Sequence, residues 1–294
     1  MRDPVKNPVK NMGASVRARL LKMAKERGQT FDLLLTRYTL ERLLYRLSQS
    51  EHKDNFVLKG AMLFTTWVDN AHRPTRDVDL LGFGASQPEA ILAVFQEICG
   101  IPEDDGVIFD VAALKIERNR DDLAYGGLRV TTDALVGGAK IRVVVDIGFG
   151  DAVEPGLNEI ELPVLLDLPA PKLRAYPRET VIAEKFQAMV NLGRANSRMK
   201  DFYDIWFLAR AFSFEDDRLA RAIAATFKRR NTEIPVEVPD ALADNFAQDD
   251  HKRNQWRAFV AGVRAEPVDL DVVIADLRVF LIPHAKAASK LAGA

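Results

Sequence analysis

The stretch "RPTRDVDLLGFG", residues 73–84, sets two aspartates one residue apart, Asp77 and Asp79, at the mouth of an apolar run. Aspartate is depleted in strands, yet "DVDLLGF" otherwise has the composition of one. On a strand, residues i and i+2 point to the same face. Asp77 and Asp79 would then stand side by side, about 6–7 Å apart at Cα from the strand rise. Two carboxylates held that close repel, and each disfavours ionisation of the other. A divalent cation between them removes the conflict. The plainer alternative makes Asp77 a turn or cap residue and leaves Asp79 on a solvated face, and a DxD pair alone does not decide between the two.

The rest of the chain has to decide. Its 294 residues suit one large domain or two smaller ones. With 48% hydrophobic and 28% charged residues, it can bury a sizeable core. Cys99 is the only cysteine, which excludes an intramolecular disulfide and fits a reducing cytoplasm. No apolar stretch nears the ~18 residues of a membrane span, so no membrane role is expected. The N-terminus has no apolar h-region of a signal peptide.

Net charge is −1, but it is unevenly spread. Residues 1–50 hold eleven Lys/Arg and four Asp/Glu, and residues 171–200 hold seven and two. Residues 97–122 run the other way, with eight Asp/Glu and three Lys/Arg. Basic segments in a near-neutral protein suit a phosphate-binding patch, or are simply the wet faces of helices.

Patterning gives three parts: an N-terminal helical segment (1–50), a sheet core (51–176) and a C-terminal helical domain (177–294). Residues 1–14 read as a flexible lead. "SVRARLLKMAKERG" reads as a helix capped by Ser15 and stopped by Gly28, and a second helix follows with Arg42 and Arg46 together on one face. "NFVLKG" and "RDVDLLGF" read as strands, joined by a helix over "AMLFTTWVD" and the loop "NAHRPT". Three strand-like runs come next: "GVIFDVAALKIE", "GLRVTTDAL" and the β-branched "KIRVVVDIGF". From Pro177 the character is helical, beginning with "PRETVIAEKFQAMVNLG" and then "SRMKDFYDIWFLARAF", for which Ser197 is a candidate cap.

A third acid, Asp146, ends the most convincing strand, with Asp110 as a less sharply patterned candidate. Three aspartates at strand ends suit a pair of Mg²⁺ ions about 3.5–4 Å apart, and Mg²⁺ keeps waters and takes substrate phosphates. His52, His72, His251 and His284 are scattered and suggest no zinc site. The strand–Gly–helix turn at Gly60 can hold a phosphate, though it is no Walker A loop. Lys185 interrupts an apolar helical stripe. It is either a snorkelling rim residue or a lysine aimed into a cleft to meet a triphosphate, with Asp201 orienting it. Asp204 reads as half of a Lys200–Asp204 surface pair or as part of that same face.

Taken in order, "VLKGAMLF", "RPTRDVDLLG", "VVVDIGFGD", "VIAEKFQAM" and "SRMKDFYDI" resemble the AbiEii/AbiGii-type nucleotidyltransferase toxins, relatives of the MenT toxins in the polymerase-β-like superfamily. The likeness runs from about Ser15 to Pro283. It implies an α+β fold: a polymerase-β-like mixed sheet with flanking helices and a C-terminal helical bundle. It implies Gly60 as the nucleotide-binding turn, Asp77 and Asp79 as metal ligands, Asp146 as the superfamily's third acid, Lys185 on the triphosphate and Asp201 as the acid of the following helix. Thr75, two residues before Asp77, is implied as a nucleotide-side residue and a candidate for silencing phosphorylation. One departure is Gly60-Ala61 where the superfamily has Gly-Gly or Gly-Ser, because alanine cannot hydrogen-bond a phosphate.

The expected function is a Mg²⁺- or Mn²⁺-dependent transfer of NMP from an NTP to an RNA acceptor, with the tRNA 3′ end first in line. Arg42, Arg46, Arg194 and Arg198 are candidates to meet that acceptor. The resemblance implies a toxin of a toxin–antitoxin or phage-defence system, with a cognate antitoxin. A small-molecule or protein nucleotidyltransferase, and a non-catalytic NTP-binding regulator, are the alternatives.

Overall fold

The structure, a computed structural model, describes residues 11–68, 75–118, 127–263 and 268–293. The lead up to residue 10, His72 and all of "NAHRPT" except Thr75 lie outside the described residues. The described chain divides into two compact units, one over 11–68, 75–150 and 159–174, the other over 151–158 and from 175 onward.

The first unit is a sheet with helices. In chain order it holds α1 (Met12–Arg27), α2 (Phe31–Gln49), β1 (Phe56–Lys59), α3 (Phe64–Trp67), β2 (Val78–Gly82), α4 (Pro88–Gly100), β3 (Val107–Phe109), β4 (Lys115–Arg118), β5 (Leu128–Val136), β6 (Ala139–Phe149), β7 (Asn158–Glu161) and β8 (Lys172–Ala175). The strand order is β3-β5-β6-β2-β1-β8-β7, with β4 also pairing β5. The sheet is mixed: β2 and β6 run parallel, while β1–β2 and β5–β6 are antiparallel.

Strand β6 shows why these residues make a sheet. Ile141, Val143, Val145 and Ile147 are buried, and the residues between them are not. That alternation is the strand period. Helix α2 packs against β6, and α1 and α4 against β5. A one-residue slip would bury Arg142 and Asp146 and expose the valines, so burial fixes the register.

Helix α1 starts earlier than its sequence suggests. Its cap is Asn11, whose Oδ1 accepts from the Ala14 amide at 3.0 Å, and Ser15 lies inside the helix. Gly13 sits within the first turn because the backbone of Gly137 approaches it. A Cβ on Gly13 would lie 2.7 Å from the Gly137 nitrogen. The stop at Gly28 is left-handed as expected, with φ 55°. "GVIFDVAALKIE" is two short strands, not one. Asp110 breaks it by accepting from the Ala113 amide at 3.0 Å, and so is a turn cap. "AMLFTTWVD" forms a 3-10 turn, Gly60–Leu63, followed by only the four residues of α3. An element that short has little macrodipole, so the phosphate-binding helix terminus expected there does not form.

Arg42 and Arg46 are not on the surface. They are 1% and 2% exposed. Arg46 forks onto Asp105 (Nη1–Oδ2 2.6 Å, Nη2–Oδ1 3.2 Å), and its other bonds go to the carbonyls of Arg42, Ile101 and Val107. Arg42 Nε is 3.6 Å from Asp105, and its Nη2 donates to the Pro169 carbonyl. These arginines tie α2 to the loop after α4, so the expected acceptor-facing role fails for both. Among the described residues, the exposed cations of the N-terminal segment are on α1: Arg17, Arg19, Lys22, Lys25 and Arg27.

The second unit is helical: α5 (Arg178–Leu192), α6 (Met199–Ala211), α7 (Asp216–Arg229), α8 (Asp244–Ala247), α9 (Asp250–Ala261) and α10 (Leu270–Ala292). Helix α5 packs on α6 and α7, and α10 on both of those as well. Phe186, Phe202, Phe227, Phe246 and Trp256 fill the interior. Among the described residues no helix is long and apolar enough to cross a membrane.

Asp105→Ala should lower the unfolding free energy by about 3–5 kcal/mol, because it leaves two buried guanidinium groups without a counter-charge. Urea unfolding followed by circular dichroism measures this. A loss below about 1 kcal/mol would show that the cluster contributes little.

Candidate active site

The parallel pairing of β2 and β6 makes Asp79 and Asp146 direct Cα partners. Neighbouring strands lie about 4.7–4.9 Å apart, and paired residues present their side chains to one face. Their flanking residues, Val78 and Leu80, Val145 and Ile147, are buried on the other face. The row continues both ways. Lys59 on β1 pairs with Asp79, and Arg129 on β5 pairs with Asp146. Four adjacent strands thus carry base, acid, acid, base on one face. Arg129 takes both oxygens of Asp146, with Nε–Oδ1 2.7 Å and Nη2–Oδ2 2.8 Å.

Asp77 lies just before β2 and is half-buried. Its Oδ1 accepts from the Thr75 hydroxyl at 2.7 Å. Gly60 follows Lys59 with φ 73°, a left-handed conformation that favours glycine. A Cβ there would overlap the Asp79 carboxylate, with Asp79 Cγ at 2.6 Å. The glycine is therefore required to let the β1 turn close over Asp79. Ala61 is buried beside it.

Donor chemistry tests whether a divalent cation fits. Asp77 and Asp79 are hard oxygen donors two residues apart at one strand end, which suits Mg²⁺. Asp146 is on the same row, but its oxygens are held by Arg129. Among the described residues no group of three or more His, Cys, Asp or Glu is arranged to hold a metal ion. The structure thus brings Gly60, Asp79 and Asp146 together with Asp77 adjacent, and it departs from a three-acid metal set at Asp146.

The second unit holds the other candidates. Lys185 on α5 is no rim residue. It is 13% exposed and bonds Asp201 Oδ1 at 2.6 Å and Asp204 Oδ2 at 2.9 Å, both carboxylates being fully buried. Asp204 is thus not half of a surface pair with Lys200. The other oxygen of Asp201, Oδ2, accepts from Arg198 Nε at 2.7 Å. Burial pushes the Asp201 pKa up, but the charges of Lys185 and Arg198 outweigh it and leave the carboxyl below its ordinary value. The turn before α6 is fixed by Asn196, whose Oδ1 accepts from the Arg198 amide at 2.8 Å, and Ser197 does not cap. Arg194 is exposed and 3.8 Å from Asp249.

The sequence matches, over residues 42–281, the family model described as nucleotidyl transferase AbiEii toxin, type IV TA system. The chain belongs to the AbiEii nucleotidyltransferase toxin family. It is accordingly a nucleotidyltransferase, and membership implies an NTP substrate and an antitoxin as counterpart. The fold is similar to the crystal structure of JHP933 from Helicobacter pylori, with TM-score 0.52 and 18% identity over 90% of this chain and 94% of that one. A second H. pylori structure, of a candidate nucleotidyltransferase, gives TM-score 0.51 and 18% identity over 90% and 97%. At such identity these likenesses speak to the fold. The comparison with curated proteins gives no match.

Sequence reasoning missed Lys59, Arg129 and the burial of Asp204. Lys59 and Arg129 are single charges within otherwise apolar or neutral strand runs, and that oddity was their only signal.

The lowered Asp201 pKa fixes a pH dependence. The stability it contributes is complete above the ordinary carboxyl value of 3.8 and is lost as pH falls through the lower folded value. Asp201→Asn should therefore be less stable than the native chain by about 3 kcal/mol at pH 7, with the gap closing below about pH 4. Thermal melts of both proteins from pH 7 to pH 3 test this. A gap that stays constant with pH would reject it.

Proposed function

We propose that this AbiEii-family enzyme moves NMP from an NTP to an RNA acceptor, the tRNA 3′ end, as the toxin of a toxin–antitoxin or phage-defence system. The observation that carries the catalytic part is the cross-strand row Lys59, Asp79, Asp146, Arg129, with Asp77 at the entry to β2. Two acids side by side, bounded by two bases, are costly in a protein with no use for them.

In this reading an acceptor hydroxyl oxygen attacks the α-phosphorus. The bond from that phosphorus to the bridging β-phosphate oxygen breaks, pyrophosphate leaves, and the hydroxyl proton passes to solvent. Asp77 and Asp79 hold Mg²⁺, for which Mn²⁺ can substitute. When bound, such an ion neutralises phosphate charge and lowers the pKa of the attacking hydroxyl. Thr75 orients Asp77 through its 2.7 Å bond. A phosphate on Thr75 would add roughly −1.5 to −2 charge beside that carboxylate, which supports silencing by modification there. Gly60 keeps the turn backbone against Asp79. Within the helical unit Asp201, which also takes Arg198, and Asp204 position Lys185, whose ammonium is proposed to meet a phosphate.

The RNA part rests on charge. The exposed cations of α1 and the exposed Arg194 and Arg198 suit a polyanion. Purified protein with labelled NTPs and total RNA tests the reading. Label on RNA supports it. Label on a small molecule or protein would redirect the acceptor, and binding without transfer would make the chain a regulator.

Two outcomes follow for variants. Asp77→Asn and Asp79→Asn should abolish transfer and leave the far-UV spectrum unchanged, with a metal-free melting temperature equal to or above the native one. Full activity in either would remove the acids from the site. Reversing Lys22, Lys25 and Arg27 to Glu should weaken RNA binding and flatten its dependence on log salt, since each lost phosphate contact lowers the slope by about one. An unchanged slope would remove α1 from the RNA surface.

A further inference from the structure

Helix α10 is apolar on two faces, and its own unit covers one of them. Val273, Leu277, Leu281, Ala285 and Ala288 are buried, and the helix packs on α6 and α7. A second stripe, Val272, Ala275, Val279 and Pro283, recurs at steps of three and four residues and is exposed. Val279 is 77% exposed and Val272 48%. A single wet valine is ordinary. An amphipathic helix, however, keeps polar residues opposite its core face, and α10 has an apolar row there.

Beside that row lies a cavity of about 520 Å³. Its α10 wall includes Asp276, Val279, Phe280 and Pro283, which are positions i, i+3, i+4 and i+7. Four residues so spaced form the hole that takes one side chain of a facing helix. Trp206 and Arg210 of α6 line the cavity as well, and they brace Asp276 at its rim. Asp276 Oδ2 accepts from Trp206 Nε1 at 2.8 Å and lies 3.6 Å from Arg210 Nη1. Val279 is both an edge of this hole and the protruding residue, so one surface carries a knob and a hole together.

Charge says which helix fits. Exposed acids stand at the start of α10, Asp269 at its cap and Asp271 in its first turn, and exposed bases near its end, Lys286 and Lys290. A parallel copy of the same helix would set like charges side by side. In an antiparallel copy with Val279 facing Val279, Asp271 falls opposite position 287 and Asp269 opposite position 289, each one residue from a lysine. The two macrodipoles then oppose as well.

We infer that the Val279 face of α10 is a dimerisation surface for a second copy of this chain, with the two α10 helices antiparallel and each Val279 in the other's hole. Such an interface uses the same patch on both copies and closes at two. A helix of 23 residues is about 35 Å long, so the contact is small and the dissociation constant is on the order of 10 μM. The surface shares no residue with the candidate active site.

Sedimentation velocity of the full chain, from about 1 to about 100 μM to bracket that affinity, should show monomer passing to dimer and no larger species. Val279→Glu should weaken the dimer by at least about tenfold and leave the melting temperature unchanged, because the side chain is exposed. Lys286→Glu with Lys290→Glu makes the ends of α10 all acidic, and Asp269→Lys with Asp271→Lys makes them all basic. Each of these proteins alone should stay monomeric, and an equal mixture of the two should form a heterodimer. A native chain that is monomeric throughout overturns the inference, whether or not the face then holds some other protein. So does a dimer that Val279→Glu leaves intact, or a mixture of the charge variants that gains nothing over either alone.

Discussion

Everything at the candidate site hangs on the parallel pairing of β2 with β6. These strands are separated in sequence by α4 and three other strands, and only their register makes Asp79 the neighbour of Asp146. The register is held from behind. Val78, Leu80, Val145 and Ile147 are buried on the helix-packed face, and each buried aliphatic side chain contributes roughly 1.5–3 kcal/mol. Four of them outweigh by several-fold the repulsion of two partly wet carboxylates, which bases on both sides reduce further. The core therefore forces the two acids together, and the local preference of aspartate for turns has no say. This is the usual direction of force in a functional site: hydrophobic burial holds charges where their own interactions would not leave them.

The helical unit handles charge by closure. Asp201 and Asp204 are fully buried, and Lys185 and Arg198 balance them. A buried ion cluster of this kind adds little net stability over apolar packing, but losing one member leaves an uncompensated charge and costs several kcal/mol. Truncating Lys185 therefore strands two carboxylates in the interior, and a loss of turnover in that variant mixes stability with chemistry. Asp201→Asn fills the same space with a neutral amide, yet it too removes one member of the cluster, so its stability has to be measured beside its turnover.

Much of this was legible in the sequence. Strand β6 declared itself through the β-branched "IRVVVDI", and α5 through Pro177 and Gly193 at its ends. The DxD pair, Asp146 and the Lys185–Asp201 partnership were legible because each breaks a local pattern: an acid in a strand, a lysine in an apolar stripe. What failed did so where a distant contact overrides a local signal. Ser15 is a good cap by type, but Gly13 meets Gly137 from the β5–β6 turn and the helix starts sooner. Arg42 and Arg46 have the spacing of a wet helical face, yet Asp105, far along the chain, draws them inside. Asp110 shares its residue type with the site acids and is spent on a turn. Nothing in one sequence states strand register, so the Arg129–Asp146 fork could not be foreseen.

The Arg46–Asp105 and Arg129–Asp146 pairs are chemically alike, each a guanidinium forked onto a carboxylate, and their surroundings separate them. Arg46 and Asp105 are both sealed, and the remaining donors of Arg46 end on backbone carbonyls. Such a pair has no access to a ligand and can only hold α2 to its neighbours. Arg129 keeps an exposed flank, and its acid stands beside another acid across the next strand. Register decides that difference. A carboxylate enclosed with its partners has no route to a ligand, whereas one on a part-exposed row beside a second acid can meet one. The same bond thus seals the core in one place and stands at the candidate site in the other.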